Sequence, residues 1–209
     1  LNSLIVVCGS LILVLALGTT TAFALAKFRF RGGKAVETLY TAGMMIPSIL
    51  LLVPLFFQAQ KLHMTNSLFG LVVVYAILQV PFTVFLLMGF FKALPHSLIE
   101  AGRLDGASYY QLFWRIALPL AKPGIVIAAI VNLMNFWNEY PIAITFISDE
   151  SKFTVPIGIS FLSSAMQYRT DYGALFAGLV IAMVPVIVLY AIFQQQLQDG
   201  MSMGSAVKG

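Results

Sequence analysis

An apolar stretch near position 135 is interrupted by groups able to hydrogen-bond or stack: Asn132, Asn135, Trp137, Asn138, Glu139 and Tyr140. Asn132, Asn135 and Glu139 recur at i, i+3 and i+7, which places them on one face of a helix. An asparagine amide offers donor and acceptor to a ligand hydroxyl, and Trp137 or Tyr140 can stack on a ring. The same side chains can instead bond neighbouring helices, and Glu139 can sit at an outer interface; the residues alone leave these roles open. A second group lies in a hydrophilic stretch: Glu100, Ala101, Gly102, Asp105, Gly106 and Ala107. Both patterns suit recognition rather than bond-making. No G-x-x-x-x-G-K-[ST] phosphate loop, H-E-x-x-H metal motif or nucleophile–base arrangement is present. Cys8 is the single cysteine, and His63 and His96 belong to no metal-binding pattern.

The elements carrying these groups follow from composition. Apolar residues make up 60% of the 209 and charged residues 10%, against about 25% charged in a soluble domain. The apolar residues fall in blocks of about 20, the length of a membrane-crossing helix. Five spans are predicted, over roughly 3–26, 39–60, 67–91, 124–147 and 174–197. Pro47, Pro54, Pro81 and Pro185 are expected to kink them. The fold class is an all-α polytopic membrane bundle.

Charge sets the sidedness. One set of connections holds Lys27, Arg29, Arg31, Lys34, Lys92, Arg103, Arg115, Lys122 and Lys208; the other holds Lys61, Lys152 and Arg169. Nine against three places residues 92–123 and the C-terminus in the cytoplasm, and the hydrophilic 148–173 connection outside. The positive charge therefore marks membrane topology, not nucleic acid. A start at Leu1, outside and without an initiator methionine, predicts a preceding spanning segment, six in all, with 1–209 a single N-terminally truncated domain.

Local physics reads the cytoplasmic stretch as two short helices. Ser97 and Glu100 have capping-box spacing, so a helix is expected just after Pro95. Asp105-Gly106 supplies a turn, with Gly106 left-handed. A second helix is expected over about 108–117, burying Phe113, Trp114 and Ile116, with Pro119 as its stop. Such a hairpin can press on a soluble partner or rest on the lipid interface.

The stretch resembles the "EAA" loop of binding-protein-dependent ABC importer permeases: E-A-A, three residues, G, nine residues, I-x-L-P. Glu100, Ala101, Gly106, Ile116, Leu118 and Pro119 stand at those spacings, and Asp105, Ala107 and Pro123 fit the extended form. Gly102 replaces the second alanine, a change that loosens a helix by up to about 1 kcal/mol. The resemblance implies a type I importer permease whose loop, 95–123, docks on an ATPase subunit through Glu100, Ala101, Gly102, Asp105, Gly106 and Ala107. Glu100 then has two compatible tasks, capping and contact, and Gly106 likewise turn and contact.

The second half resembles the maltose-type carbohydrate subgroup and its smaller, tail-bearing permease. Residues Asn135 to Phe146 look like its W-N-[ED]-[FY] segment, Phe153 to Gly158 like T-x-P-x-G, and Gly200 to Gly209 like G-x-x-x-G-A-x-K-G with one extra residue. This implies sugar transport across a bacterial inner membrane, with a second permease subunit, two ATPase subunits and an extracytoplasmic sugar-binding protein as partners. ATP and magnesium would sit on the ATPases, no cofactor on this chain, and the chain itself would be no enzyme. Rivals are a permease for an amino acid, peptide or phosphate, an ion-gradient-driven transporter, and a membrane enzyme. The second predicts charges deep in several helices, whereas those here lie nearly all at helix ends.

Overall fold

A computed structural model describes residues 1–165 and 172–206. Arg169 and the Lys208-Gly209 end of the tail motif lie outside them. The described residues are helical in architecture: α1 (Asn2–Lys27), α2 (Gly33–Met44), a 3₁₀ turn (Ser48–Leu51), α3 (Leu52–Lys61) and α4 (Leu68–Ala93). There follow α5 (His96–Leu104), α6 (Tyr109–Leu120), α7 (Lys122–Asn138), α8 (Pro141–Phe146), α9 (Val155–Ala165) and α10 (Tyr172–Ala206).

The core is built on α1 and α4, which run parallel and touch along most of their length. Small residues permit the approach. Ser10 donates to the Val72 carbonyl at 3.2 Å, and Gly18 lies against the Thr83 side chain with no room for a Cβ. At their shared end Lys27 Nζ donates to the Leu94 carbonyl at 2.6 Å. α7 runs antiparallel to α4, from Gly124 beside Phe90 through Asn132 beside Thr83 to Glu139 beside Tyr75. α10 packs on α7, where Trp137 Nε1 donates to the Ala182 carbonyl at 2.9 Å.

Three of the five predicted spans form as single helices among the described residues, and two are broken. α1, α4 and Tyr172–Gln194 are long and apolar enough to cross a membrane as single helices. The 39–60 span is instead divided: α2 starts at Gly33, and the chain turns by 96° before Ser48–Lys61. Pro47 explains the place, because it lacks an N–H and pushes Ile46 away from helical backbone. The 124–147 stretch is divided into α7 and α8 at Glu139, whose ψ of 129° is extended, and α7 reaches spanning length only together with the bent α6 before it. Pro81 is accommodated within α4 and Pro185 within α10.

In the 148–173 connection the described residues are more ordered than their hydrophilic character suggests. They include α9, an apolar helix, and two anchors. Asn2 Nδ2 donates to the Ser151 and Phe153 carbonyls at 2.8 and 3.1 Å. Asn66 Oδ1 accepts the Ser148 and Asp149 N–H groups at 3.3 and 3.1 Å. Lys27, Lys92 and Lys122 lie at the hairpin end, while Lys152 donates to the Asn66 carbonyl at the other.

Candidate coupling and pathway sites

The hairpin forms, but not with the expected cap. α5 begins at His96 with Pro95 as its N-cap residue and no side-chain cap, so Ser97 lies inside the first turn and the Ser97–Glu100 box is absent. The box forms instead at α6. Ser108 Oγ accepts the Gln111 N–H at 3.3 Å, and Gln111 Oε1 accepts the Ser108 N–H at 2.8 Å. Ser108-x-x-Gln111 carried that signal in the sequence. Gly106 closes α5 as expected, with φ of 79° and the Ala107 N–H donating to the Gly102 carbonyl at 2.9 Å.

α6 does not stop at Pro119. A π-helical turn, Leu112–Ala117, resets the hydrogen-bond register, and Pro119 enters the first turn of the segment that follows, where its missing N–H is not needed. The chain bends by 75° into α7 only after Leu120. Phe113 is buried as expected, whereas Trp114 is 48% exposed; Leu112 and Ala117 take the inward positions instead.

The two faces of α5 divide cleanly. Ile99 and Gly102 point inward and are buried. A Cβ on Gly102 would stand 2.6 Å from Leu112 Cδ2 and 3.0 Å from Ile116 Cδ1, so the missing methyl is what lets α5 sit on α6. Glu100, Ala101, Asp105 and Gly106 are exposed, and Ala107 is half-buried. Glu100 has no hydrogen-bond or ion-pair partner among the described residues. Beside it stands Leu104, 89% exposed, which sequence reasoning missed; a leucine at the end of a polar nine-residue helix was the available signal.

Aromatic contacts fasten the hairpin to the spans. Phe23 of α1 meets Phe28, Phe91 and Phe113 at ring-centroid distances of 5.3, 5.6 and 5.3 Å. Phe28 in turn meets Tyr109 edge-on at 5.0 Å, and the Arg103 guanidinium lies 5.4 Å from the Tyr109 ring centre. A push on α5 or α6 is therefore a push on α1 and α4.

The second candidate lies at the other end of α7. A cavity of about 510 Å³ opens between the α2–α3 break, α4 and α7. Its polar wall is Ser48, Gln79, Asn135 and Glu139, and its apolar wall includes Tyr75 and Phe136. Pro81 also lines it, as does Ile77, whose carbonyl loses its usual partner because Pro81 has no N–H. Ser48 and Gln79 were missed; an amide inside an otherwise apolar span was the signal for Gln79.

Only Asn135 and Glu139 of the six sequence candidates reach this cavity. Asn132 is fully buried, donating to Thr83 Oγ1 at 2.9 Å and to the Ala128 carbonyl at 2.8 Å. Trp137 is held by Ala182, Asn138 Nδ2 donates to the Met134 carbonyl, and Tyr140 Oη shares a hydrogen bond of 2.8 Å with Ser160 Oγ. The helical face expected for Asn132, Asn135 and Glu139 is cut because α7 ends at Asn138. Glu139 instead bridges the break. Its Oε1 accepts the Ile142 N–H at 2.8 Å and its Oε2 the Ala143 N–H at 3.0 Å, satisfying the start of α8.

The hairpin thus presents the outer face of α5 at the surface and packs its inner side, through Phe113, against α1. Over residues 15–203 the chain matches the binding-protein-dependent transport system inner membrane component family. The chain belongs to this family. It is 39% identical over 205 residues to the diacetylchitobiose uptake system permease protein NgcG of Streptomyces coelicolor, covering 98% of this chain and 68% of that one. To the trehalose transport system permease protein SugB of Mycobacterium tuberculosis it is 30% identical over 209 residues, covering 100% and 76%. Among solved structures, a bacterial ABC transporter that imports alginate superposes with a TM-score of 0.78 at 24% identity, over 93% of this chain and 72% of that one. The likeness confirms the importer-permease fold. The permease is thus an inner-membrane component, as the resemblance of residues 95–123 implied.

Proposed function

We propose that this permease forms half of a carbohydrate import pathway and is driven by a separate ATPase that docks on α5. The carrying observation is the two-faced α5: Gly102 and Ile99 lock its inner side to α6, while Glu100, Ala101, Leu104 and Asp105 stand free outside. Buried aromatic contacts through Phe23 then pass ATPase closure to α1 and α4. The hairpin faces the cytoplasm, on the charge count above. ATP and magnesium belong to two ATPase subunits, and the permease carries no reaction of its own.

A second permease subunit completes the pathway, and a sugar-loaded binding protein meets the outer connection. The sugar assignment rests on what NgcG and SugB are named for. The cavity suits it: the amides of Gln79 and Asn135 offer donor and acceptor to hydroxyls, beside the Tyr75 and Phe136 rings.

The test is an ATPase assay on the full transporter with its binding protein loaded from a panel of solutes. Sugars should stimulate hydrolysis in the wild type. Stimulation by amino acids or peptides alone would overturn the carbohydrate assignment, and stimulation that survives Glu100→Lys together with Gly106→Val would overturn the docking surface.

A further inference from the structure

Where α1 hands over to α2, the chain lines an open cavity of about 640 Å³, separate from the pathway cavity and touching the hairpin's aromatic cluster only at Phe28. One part of its wall is apolar, with Leu25, Phe28, Ala42 and Met45; another is cationic, with Arg29 and Lys34. Arg31 stands exposed between them in the chain. Among the described residues none of these three cations has an ion-pair partner. The single carboxylate in the wall, Glu37, is already neutralised by Lys92 at 2.7 Å. The cavity therefore presents unpaired positive charge next to hydrocarbon, at the end of a membrane-spanning helix.

That pairing narrows the ligand. Cations that only meet water need no apolar wall, and neither does a small soluble anion. A phosphate that carries hydrocarbon needs both. Basic pockets among membrane helices suit anionic headgroups on these grounds. We propose that this cavity binds an anionic phospholipid, its phosphate held by Arg29 and Lys34 and its acyl chain laid along Leu25, Ala42 and Met45. The Glu37–Lys92 pair ties α2 to α4, so the lipid fastens the α1–α2 connection beside the aromatic cluster that holds the coupling hairpin.

Native mass spectrometry of the full transporter, titrated with phosphatidylglycerol, phosphatidylethanolamine or inorganic phosphate, reads this directly. The wild type should retain phosphatidylglycerol in preference to phosphatidylethanolamine, and millimolar inorganic phosphate should not displace it. Arg29→Gln with Lys34→Gln should weaken retention about 30-fold, the loss expected for two cations near a lipid surface, while Arg29→Lys keeps most of it. Ala42→Trp fills the apolar wall with the charges untouched and should also lose the lipid, which covers the case in which the double variant fails to fold. Lys61→Gln, at the opposite end, should change nothing. Equal retention by a folded double variant, or by Ala42→Trp, would overturn the proposal. So would equal binding of the zwitterionic lipid, and displacement by inorganic phosphate would reassign the cavity to free phosphate.

Discussion

The Tyr75 hydroxyl of α4 donates to Glu139 Oε2 at the break between α7 and α8, joining residues 64 apart in sequence. Tyr75 is also stacked on Phe136 of α7, with ring centroids 5.7 Å apart. One carboxylate thus serves three donors: a tyrosine from another helix and the two N–H groups that open α8.

Removing that carboxylate should cost more than removing its partner. Hydrogen bonds to a charged group contribute about 1.5–3 kcal/mol each. Tyr75→Phe deletes one of them, whereas Glu139→Ala deletes three and leaves N–H groups orphaned. Thermal unfolding of the purified transporter should show the larger drop for Glu139→Ala. Equal drops would mean that α8 is started by something else.

Overpacking at Gly102 should loosen the hairpin. Gly102→Val drives methyl groups into Leu112, which is fully buried and has little room to yield. The expected loss is about 1–3 kcal/mol. Limited proteolysis should then nick the chain within 95–123 faster than in the wild type.

Leu104 should matter to the partner and not to the fold. It is 89% exposed, and surface changes of this kind shift stability by about 0.5 kcal/mol or less. Leu104→Asp should keep the wild-type melting temperature yet lose about tenfold or more in ATPase stimulation, as expected for an interface anchor worth 2 kcal/mol or so. Full stimulation would remove Leu104 from the docking surface.

Phe23→Ala should unfasten what Leu104→Asp leaves intact. Phe23 is buried and touches three other rings, so truncation should cost about 3–5 kcal/mol. A melting temperature within a degree of wild type would show that the cluster does not hold the hairpin.

Acid should loosen the turn at Asp149 before the spans. The Ser151 hydroxyl, then its backbone N–H, then Lys152 hold the Asp149 carboxyl below its ordinary value of 3.8. A depressed folded pKa contributes stability above the unfolded value and loses it as pH falls through the folded one. Hydrogen exchange around 149–153 should therefore rise below about pH 4, and Asp149→Asn should abolish that dependence.

Much was legible because composition and spacing act locally. Apolar blocks of spanning length, cations gathered in alternate connections, and Glu100 to Gly106 at their separations required only the chain itself. The Asp105-Gly106 turn was equally legible, since a left-handed residue is a local demand. The cap was not: Ser97–Glu100 and Ser108–Gln111 both have the spacing, and only the position of Pro95 at the start of α5 chooses between them.

The pathway residues divide in the same way. Sequence establishes that Asn132, Asn135 and Glu139 are polar groups in an apolar stretch, and that such groups must find partners. Which partner each finds depends on what approaches from elsewhere in the chain. Thr83 reaches Asn132, Tyr75 reaches Glu139, and the opened α2–α3 connection leaves Asn135 facing a cavity. A helical period assigns a face, but it does not reveal where a helix breaks or which neighbour stands opposite; long-range packing sets both.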